Sequence, residues 1–501
     1  MVDLLINRKD DQKNLTQALA YAERAKGRTL LDVLRSGRVN ITKAMTTSEQ
    51  ERERTLNGDI VSFNSQIYRE RLRQKPDQMR LGDLDAHLQK ARLEYEAFQT
   101  NLYVAHPELK IERGEIEAFT PEDSAALIPD TNTALLEFVV MEDKTYLFVL
   151  TKNSAVTQAA PDMKLYRLEV KQKDLARLTR QFRQGLRDYS FLEVAPQLYD
   201  MLLKPARALL QKRTNLIIVP DGVLWELPFQ ALMPGQGHFL IEDCAISYAP
   251  SLSVLQQMVK LRRKPERRSS PTTPTLLAFG NPVIGKETAG RLRTVFTDER
   301  LPPLPEAERE VKALGGLYGA AGSRVYIGRE AREDRLKEEA GRYDVLQLAT
   351  HGLLNNASPM YSQLVLSQTP GSEREDGLLE AWEIMKLELK AEIVVLSACE
   401  TGRGRVGAGE GIIGLSWALF VAGSPTTVVS QWSVESASTA EMMVEFHRRL
   451  RSRGSRGSKG NGGREMSKAE ALRQAELKLL KSGQYQNPFY WAGFVMVGDG
   501  R

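Results

Sequence analysis

Residues 343–352 read YDVLQLATHG, and residues 391–402 read AEIVVLSACETG. Each stretch begins as a short, continuous apolar run, which is typical of a strand buried on both faces of a parallel sheet. The first run ends in His351 and the second in Cys399. Ligands bind outside the carboxyl ends of strands in open α/β sheets. If the two strands are neighbours, they therefore place an imidazole and a thiol over one crevice.

A thiol next to an imidazole supports nucleophilic catalysis. A free thiol is mostly protonated at pH 7, and a neighbouring histidine can take its proton, hold the thiolate as an ion pair and later protonate a leaving amine. We therefore interpret Cys399 as the nucleophile and His351 as its acid/base partner. The tetrahedral oxyanion needs aimed N–H donors. The backbone amides of Gly352 and Cys399 are the candidates, since sharp turns are expected after both strands.

Three acidic residues near these runs are secondary candidates for a substrate pocket: Asp376, Glu400 and Glu410. Any of them could orient the histidine or form an acidic wall for a basic substrate side chain. Ordinary turn chemistry and helix capping explain these positions equally well.

The chain around the two runs alternates between strand-like and helical segments. Two apolar runs within ALLEFVVMEDKTYLFVLTKN indicate a hairpin, and further runs follow in LIIV, LLAFG, SRVYIG, SQLVLS, TTVVSQW and FYWAGFVMVGD. This alternation predicts an α/β fold with a mostly parallel sheet flanked by helices. We expect this unit to span residues 113–501, with its core at 214–501.

The N-terminal segment, residues 1–45, is predicted to be helical. Its apolar stripe is formed by Leu15, Ala18, Leu19, Ala22 and Ala25, and a second apolar set follows Gly27, which indicates two helices or one broken helix. The stretch resembles the last unit of a tetratricopeptide (TPR) array. A single unit cannot bury its face alone, so a helix docked on the following domain fits equally well.

Residues 46–112 predict a helical hairpin that is broken near Pro76, because proline disrupts the helical hydrogen-bond ladder. The apolar positions near a 3.6-residue period are Leu56, Ile60, Phe63 and Ile67 on the first arm, and Leu81, Leu84, Leu88, Leu93 and Phe98 on the second. We interpret the hairpin as a spacer.

Composition excludes several classes of protein. Hydrophobic residues make up 42% and charged residues 27%, as in ordinary globular chains. The two cysteines, Cys244 and Cys399, exclude a disulfide framework and a multi-thiolate metal site. The net charge of +5 does not indicate a nucleic-acid platform. No secretory signal or membrane segment is evident, so we expect a cytoplasmic protein.

One segment is expected to be disordered. Residues 452–468 read SRGSRGSKGNGGREMSK, which is rich in Gly, Ser and Arg with almost no apolar content. No aromatic residue is interleaved for base stacking, so direct nucleic-acid binding is not expected.

Other candidate motifs carry less weight. Residues 402–407, GRGRVG, match the dinucleotide-binding pattern, but the strand and the next helix are too far apart for its tight turn. We expect Cys244 to be a core residue. The remaining histidines lack metal-ligand spacing and are expected at the surface or as caps: His87, His106, His238 and His447.

The spacing from His351 to Cys399 is 48 residues, close to that of caspases. The chain resembles the CHAT domain family, caspase-like domains that often follow TPR repeats. The matching segments are PDGVLWELPFQAL (220–232), LPPLPEAEREV (301–311), LQLATHG (346–352), DGLLEAWEI (376–384), VVLSACETGRGRVGAGEGIIGLSWALFVAGSPTTVVSQWSV (394–434) and PFYWAGFVMVGD (488–499).

The resemblance implies a caspase-type fold in the broad group of separase, with a Cys-His dyad at Cys399 and His351 and no cofactor. It also implies a protein substrate and an activating partner that binds the N-terminal helices. The alternative is a catalytically silent scaffold that acts through protein contacts.

Overall fold

The computed structural model describes residues 12–35, 46–71, 77–105, 126–152, 161–262, 274–285, 288–289, 301–353, 362–372, 375–397, 405–407, 411–413, 415–432, 434–452 and 466–501. Within these ranges the α-helices are α1 (Gln12–Arg35), α2 (Thr47–Arg71), α3 (Gln78–Ala105), α4 (Gln172–Gly185), α5 (Phe191–Leu202), α6 (Arg207–Leu210), α7 (Leu240–Asp243), α8 (Leu252–Arg262), α9 (Pro305–Tyr318), α10 (Glu333–Glu339), α11 (Ala381–Ile384), α12 (Leu415–Val421), α13 (Ser436–Ser452), α14 (Lys468–Leu480) and α15 (Pro488–Trp491).

The strands in the same ranges are β1 (Thr133–Val140), β2 (Thr145–Thr151), β3 (Asp162–Leu168), β4 (Asn215–Val219), β5 (Ala245–Tyr248), β6 (Leu276–Pro282), β7 (Ser323–Gly328), β8 (Val345–Ala349), β9 (His351–Leu353), β10 (Gln363–Val365), β11 (Leu378–Glu380), β12 (Ile393–Leu396), β13 (Arg405–Gly407), β14 (Gly411–Ile413), β15 (Thr426–Ser430) and β16 (Phe494–Gly498).

Eleven of these strands form one main sheet in the order β3-β2-β1-β4-β5-β16-β15-β12-β8-β6-β7. The pairs β1–β2, β2–β3 and β15–β16 are antiparallel, and the other pairs of this sheet are parallel. Every residue of β8, β12, β15 and β16 is buried. Since neighbouring side chains on a strand point to opposite faces, both faces of the central strands are covered. The predicted mostly parallel α/β fold is confirmed.

The two strands that lead to His351 and Cys399 are neighbours. Strand β8 pairs in parallel with β12, and Leu348 lies opposite Leu396. Beyond β8 the chain turns out of the main sheet into a small antiparallel sheet in the order β11-β10-β9. The run SQLVLS, expected among the strands of the main sheet, supplies β10 of this side sheet instead.

The N-terminal stripe docks on the sheet domain. Ala18 and Leu19 are buried in a cluster with residues from β1, β2 and α8, and Ala22 on the same stripe is also buried. The carboxylate of Glu23 accepts hydrogen bonds from the backbone N–H groups of Leu252 (2.8 Å) and Ser253 (2.7 Å), so it caps α8. Helix α1 is continuous through Gly27, so the break expected there is absent.

Lys26 also holds the same helix on the sheet domain. Lys26 donates to the backbone carbonyl of Phe138 and lies 3.5 Å from the carboxylate of Glu137. Burial raises the pKa of Glu137 well above its usual value, and Glu23 adds to that rise while Lys26 opposes it. Packing against the sheet buries the stripe that α1 cannot bury alone.

Helices α2 and α3 form the predicted hairpin. Their shared cluster consists of Ile60, Ile67, Leu81, Leu84, Leu88 and Ala91, with Phe63 and Tyr95 packed against it. Leu93, expected on this seam, is 64% exposed. Ala91 occupies the seam instead, because it lies three residues after Leu88 and Leu93 lies five. No helix in the described ranges is long and apolar enough to cross a bilayer.

We predict that Glu23→Ala lowers the free energy of unfolding by about 2 kcal/mol, because it leaves buried N–H groups of α8 without their charged acceptor. Urea denaturation followed by tryptophan fluorescence measures this loss. Glu94→Ala, on an exposed position of α3, is the control and should change stability by less than about 0.5 kcal/mol. Equal losses in the two variants would contradict the docking of α1 through this cap.

Candidate active site

His351 lies where the chain leaves the main sheet. It is the first residue of β9, pairs with Val365 of β10 and is 8% exposed. The hydroxyl of Thr350, one residue earlier, donates to the carbonyl of Val365. The turn out of β8 is therefore fixed to the side sheet on both sides of the histidine backbone.

The ring of His351 is oriented by a backbone carbonyl. Its Nε2 lies 2.8 Å from the carbonyl oxygen of Pro302. A carbonyl can only accept, so Nε2 carries the proton and the neutral ring keeps its lone pair on Nδ1. No hydrogen-bond partner of Nδ1 lies among the described residues. The ring can therefore act as a base through Nδ1.

The protonation of His351 reflects two opposing effects. Burial lowers the pKa of His351 below its usual value, and the hydrogen bond to Pro302 raises it. Burial is the larger of the two effects, so the surroundings that the structure describes favour the neutral ring.

Cys399 lies outside the described residues, as do Glu400 and Glu410. The last described residue before it is Ser397, which directly follows β12. The structure thus brings the two strand ends together, and it describes the histidine side of the candidate dyad.

A buried polar network lies beneath these strand ends. Gln347 of β8 donates to the hydroxyl of Ser397 (2.8 Å) and to the carboxyl of Glu310 on α9 (2.7 Å), and Ser397 also donates to Glu310 (2.8 Å). His447 of α13 donates from Nε2 to the side-chain carbonyl of Gln347 (2.8 Å) and accepts from the hydroxyl of Tyr318 at Nδ1 (3.1 Å). The network joins both dyad strands to two covering helices.

The expectation that His447 lies at the surface or caps a helix is wrong, because this residue is completely buried. Burial lowers its pKa to about 3, so its ring is neutral. His238 is exposed as expected, with Nε2 2.8 Å from the carboxylate of Asp243. His106 lies outside the described residues.

Asp376 lies in the loop before β11, where its polar atoms are engaged locally. Its Oδ1 accepts from the N–H of Leu378 (3.0 Å), and its carbonyl accepts from the hydroxyl of Thr288 (2.7 Å). The next residue, Gly377, has φ +85, and a Cβ there would lie 2.7 Å from the carbonyl oxygen of Leu366. This arrangement matches the turn chemistry considered from sequence.

A second polar cluster supports the same loop. The carboxylate of Glu333 accepts from the N–H of Gly377 (2.8 Å), and Lys337 bridges Glu333 (2.7 Å), Glu383 (2.9 Å) and Glu375 (3.4 Å). The loop before β11 is therefore anchored to α10 and α11. No group of three or more His, Cys, Asp or Glu within the described ranges could hold a metal ion.

Comparison with known protein families places the chain. The model of the CHAT domain matches residues 192–499. The chain belongs to the CHAT domain family. The membership expected from the sequence is confirmed, and the strand ends, the histidine and the polar network described above all lie inside the matched range.

The CHAT chain is also similar to individual proteins. It is 26% identical over 349 residues to Tetratricopeptide repeat protein 28 of Homo sapiens, and 25% identical over 345 residues to that of Mus musculus. Each match covers 60% of this chain but 13% of the relative. The chain thus corresponds to a small part of these proteins.

Two complexes are among the solved structures that are similar to this chain. The Saccharomyces cerevisiae separase–securin complex gives a TM-score of 0.45 at 10% identity, covering 78% of this chain and 31% of that one. The complex of the pro- and mature domains of Porphyromonas gingivalis RgpB gives a TM-score of 0.38 at 11% identity, and the match covers 66% of this chain and 76% of that one.

Cys244 of the CHAT domain is buried at 2% exposure, which agrees with the expected core role. Its thiol lies 3.6 Å from the carbonyl oxygen of Leu240, and burial raises its pKa to about 12. A thiol in this state does not react at neutral pH.

Sequence reasoning missed the Pro302 carbonyl and the Glu310 network. Pro302 lies in the motif LPPLPEAEREV, but nothing in these letters marks its carbonyl as an acceptor for His351. No sequence signal marks Gln347, a single polar residue in the apolar strand β8, or Ser397, the residue after β12.

We predict that Glu310 makes the CHAT domain less stable as pH rises. Burial raises its pKa to about 8, whereas a glutamate in the unfolded chain ionises near 4.3. Between these values the unfolded chain has lost this proton and the folded chain keeps it, so rising pH favours unfolding. The stability present below about pH 4 is lost progressively up to about pH 8.

Glu310→Gln keeps the acceptor for Ser397 and Gln347 but does not ionise. Relative to this variant, the wild type should lose about 1 kcal/mol of unfolding free energy per pH unit between pH 5 and 8. Urea denaturation across this range measures the difference, and Glu338→Gln at an exposed site is the control. Parallel curves for wild type and Glu310→Gln would contradict the prediction.

Proposed function

We propose that this CHAT protein is a cysteine endopeptidase that cleaves a protein substrate through Cys399 and His351. The observation that carries the proposal is the register of the two strands: Leu348 lies opposite Leu396, and each candidate follows its leucine by three residues. The Nδ1 of His351, which has no hydrogen-bond partner among the described residues, supplies the base that a cysteine nucleophile needs.

The reaction would run in two halves. The Cys399 thiolate attacks the scissile carbonyl carbon, the C–N bond breaks, and the imidazolium of His351 gives its proton to the leaving amine. The resulting thioacyl enzyme is attacked by water, which loses a proton to His351. The carboxylic acid then departs, and the Cys399 thiolate and the imidazolium of His351 are restored.

Charge that develops on the substrate oxygen needs N–H donors. We assign this role to the backbone N–H groups of Gly352 and Cys399. Gly352 lies next to the histidine, opposite Leu364 in the side sheet, and lacks a side chain that would block a peptide. Glu400, Glu410 and Asp376 are secondary candidates for the substrate pocket. If they form it, the enzyme should prefer substrates with basic side chains.

The organisation of the chain is part of the proposal. Residues 113–501 form the protease unit, residues 46–112 a spacer, and residues 1–45 a TPR-like segment that receives an activating protein. Support comes from α1, which is docked on the sheet domain and also contacts α12, the helix that follows the Cys399 segment. The protein would act in the cytoplasm.

We predict that iodoacetamide alkylates Cys399 much faster than Cys244 at pH 7. The reason is that Cys244 keeps its proton by burial, whereas the dyad holds Cys399 as a thiolate. Mass spectrometry of tryptic peptides measures the two rates separately. His351→Ala should slow labelling of Cys399 at least tenfold, roughly the share of thiolate lost when a free thiol replaces an ion pair.

His238→Ala is the matched control, because His238 is exposed and paired with Asp243 away from the two strand ends. It should leave both rates unchanged. Cys399→Ala should abolish cleavage of a partner protein and leave the thermal midpoint unchanged. Equal Cys399 labelling in wild type and His351→Ala, together with no cleavage in the presence of the partner, would favour the scaffold.

A further inference from the structure

We propose that Asn281 is a positioning residue for His351 and acts through the Pro302 carbonyl. This inference rests on the proposed function, because it assigns a role within the same dyad. Asn281 does not touch the histidine, and its effect passes through the segment from Pro302 to Leu304.

The backbone of Asn281 is unusual. It has φ +48, one of two non-glycine residues with positive φ in the described ranges. It lies at the end of β6, where the register with β7 shifts between Gly280 and Pro282. Asparagine tolerates the left-handed region better than most residues, so this residue type suits the backbone at the end of β6.

Both ends of the Asn281 amide are used. Its Oδ1 accepts from the backbone N–H of Leu304 at 2.7 Å, and its Nδ2 donates to the carboxylate of Glu308 at 3.0 Å. Glu308 also accepts from Lys312 at 2.6 Å, and these two bonds lower the pKa of its carboxyl. The amide thus joins the bulge in β6 to the first turn of α9.

The link from Leu304 to the histidine is short and stiff. Residues 302 and 303 are both proline, so φ is fixed at each, and Pro303 further restricts Pro302. Holding the N–H of Leu304 therefore holds the carbonyl of Pro302, which accepts from Nε2 of His351 at 2.8 Å. Few rotatable bonds separate the asparagine amide from the histidine ring.

Close packing fixes the same corner from the other side. A Cβ on Gly280 would lie 2.9 Å from the carbonyl oxygen of Ala307 and 2.6 Å from a methyl of Val311. The absence of that side chain lets α9 rest directly on the bulge. The start of α9 is therefore held against Asn281 by packing and by hydrogen bonds together.

The pKa of His351 is a direct readout of this arrangement. The described surroundings move that pKa through burial, which lowers it, and through the Pro302 carbonyl, which raises it. A displaced carbonyl should therefore lower the pKa of His351 further. A purely structural role for Asn281 would change stability without changing this pKa.

The test compares Asn281→Gly and Asn281→Asp. Glycine accepts positive φ and loses both side-chain bonds, so it separates backbone strain from side-chain function. Aspartate keeps the acceptor for Leu304 and loses the donor to Glu308. NMR titration of histidine-labelled full-length protein gives the pKa of His351, and iodoacetamide labelling gives the rate at Cys399.

In Asn281→Gly we expect a lower His351 pKa and labelling of Cys399 slowed about three- to tenfold at pH 7, the equivalent of one neutral hydrogen bond. Asn281→Asp should lie between this variant and the wild type, because the bond to Leu304 is retained. If Asn281→Gly does not fold, Asn281→Asp carries the same test.

Asn487→Gly is the matched control. Asn487 also accepts a backbone N–H with Oδ1 (Phe489, 2.8 Å) and donates from Nδ2 to a backbone carbonyl (Leu186, 2.7 Å). It should lower the thermal midpoint by a similar amount and leave the His351 pKa and Cys399 labelling unchanged.

The outcomes separate this inference from the proposed function. In one outcome, labelling is slower in His351→Ala, whereas folded Asn281→Gly has the wild-type His351 pKa and labels at the wild-type rate. This outcome would overturn the role of Asn281 and leave the proposed dyad standing. Unchanged labelling in His351→Ala would overturn the proposed dyad itself. A lowered His351 pKa in Asn281→Gly but not in Asn487→Gly supports the inference, because the NMR measurement reports on the histidine itself.

Discussion

The parallel pairing of β8 with β12 is the constraint on which the site depends. Both strands are buried over their whole length, and their register sets Leu348 opposite Leu396. A shift of one residue in either strand would turn its apolar side chains to the other face and move its end relative to its neighbour. The positions of the residues that follow the two strands are therefore tied to the packing of the whole core.

The buried network at Gln347 makes this register more specific. Apolar side chains alone tolerate exchange and sliding, because the hydrophobic effect is non-directional. A buried amide that bonds Ser397, Glu310 and His447 is different, since any other register leaves those groups unpaired at a cost of about 1–3 kcal/mol each. The network thus links the dyad strands to α9 and α13, and α9 begins at the corner that holds Pro302.

The three N-terminal helices are packed in two different ways. Helices α2 and α3 bury their shared seam against each other, whereas α1 buries its small side chains against the sheet domain. Glu23 and Lys26 add directional contacts at the start of α8 and at β1. The sequence allowed two interpretations of the apolar stripe on α1, a TPR-like unit and a docking helix. In the structure the sheet domain covers this stripe.

The sequence by itself determined the α/β class, the two strands that end at the candidate dyad, the β1–β2 hairpin, the core role of Cys244 and membership of the CHAT family. These follow from local periodicity, strand-length apolar runs and motifs, all of which are written in consecutive residues. The same reasoning was wrong for Leu93 and for the helix break at Gly27. In both places the structure depends on the packing of a helix against its neighbours, which the local pattern does not contain.

Only the tertiary structure decided how the histidine is held. The Pro302 carbonyl and the Asn281 amide come from segments far from His351 in sequence, and their roles depend on the end of β6 lying against the start of α9. No local pattern marks a backbone carbonyl as a hydrogen-bond acceptor for a particular ring. Such contacts exist only after the core has packed, because hydrogen bonds need distances and angles that sequence spacing does not contain.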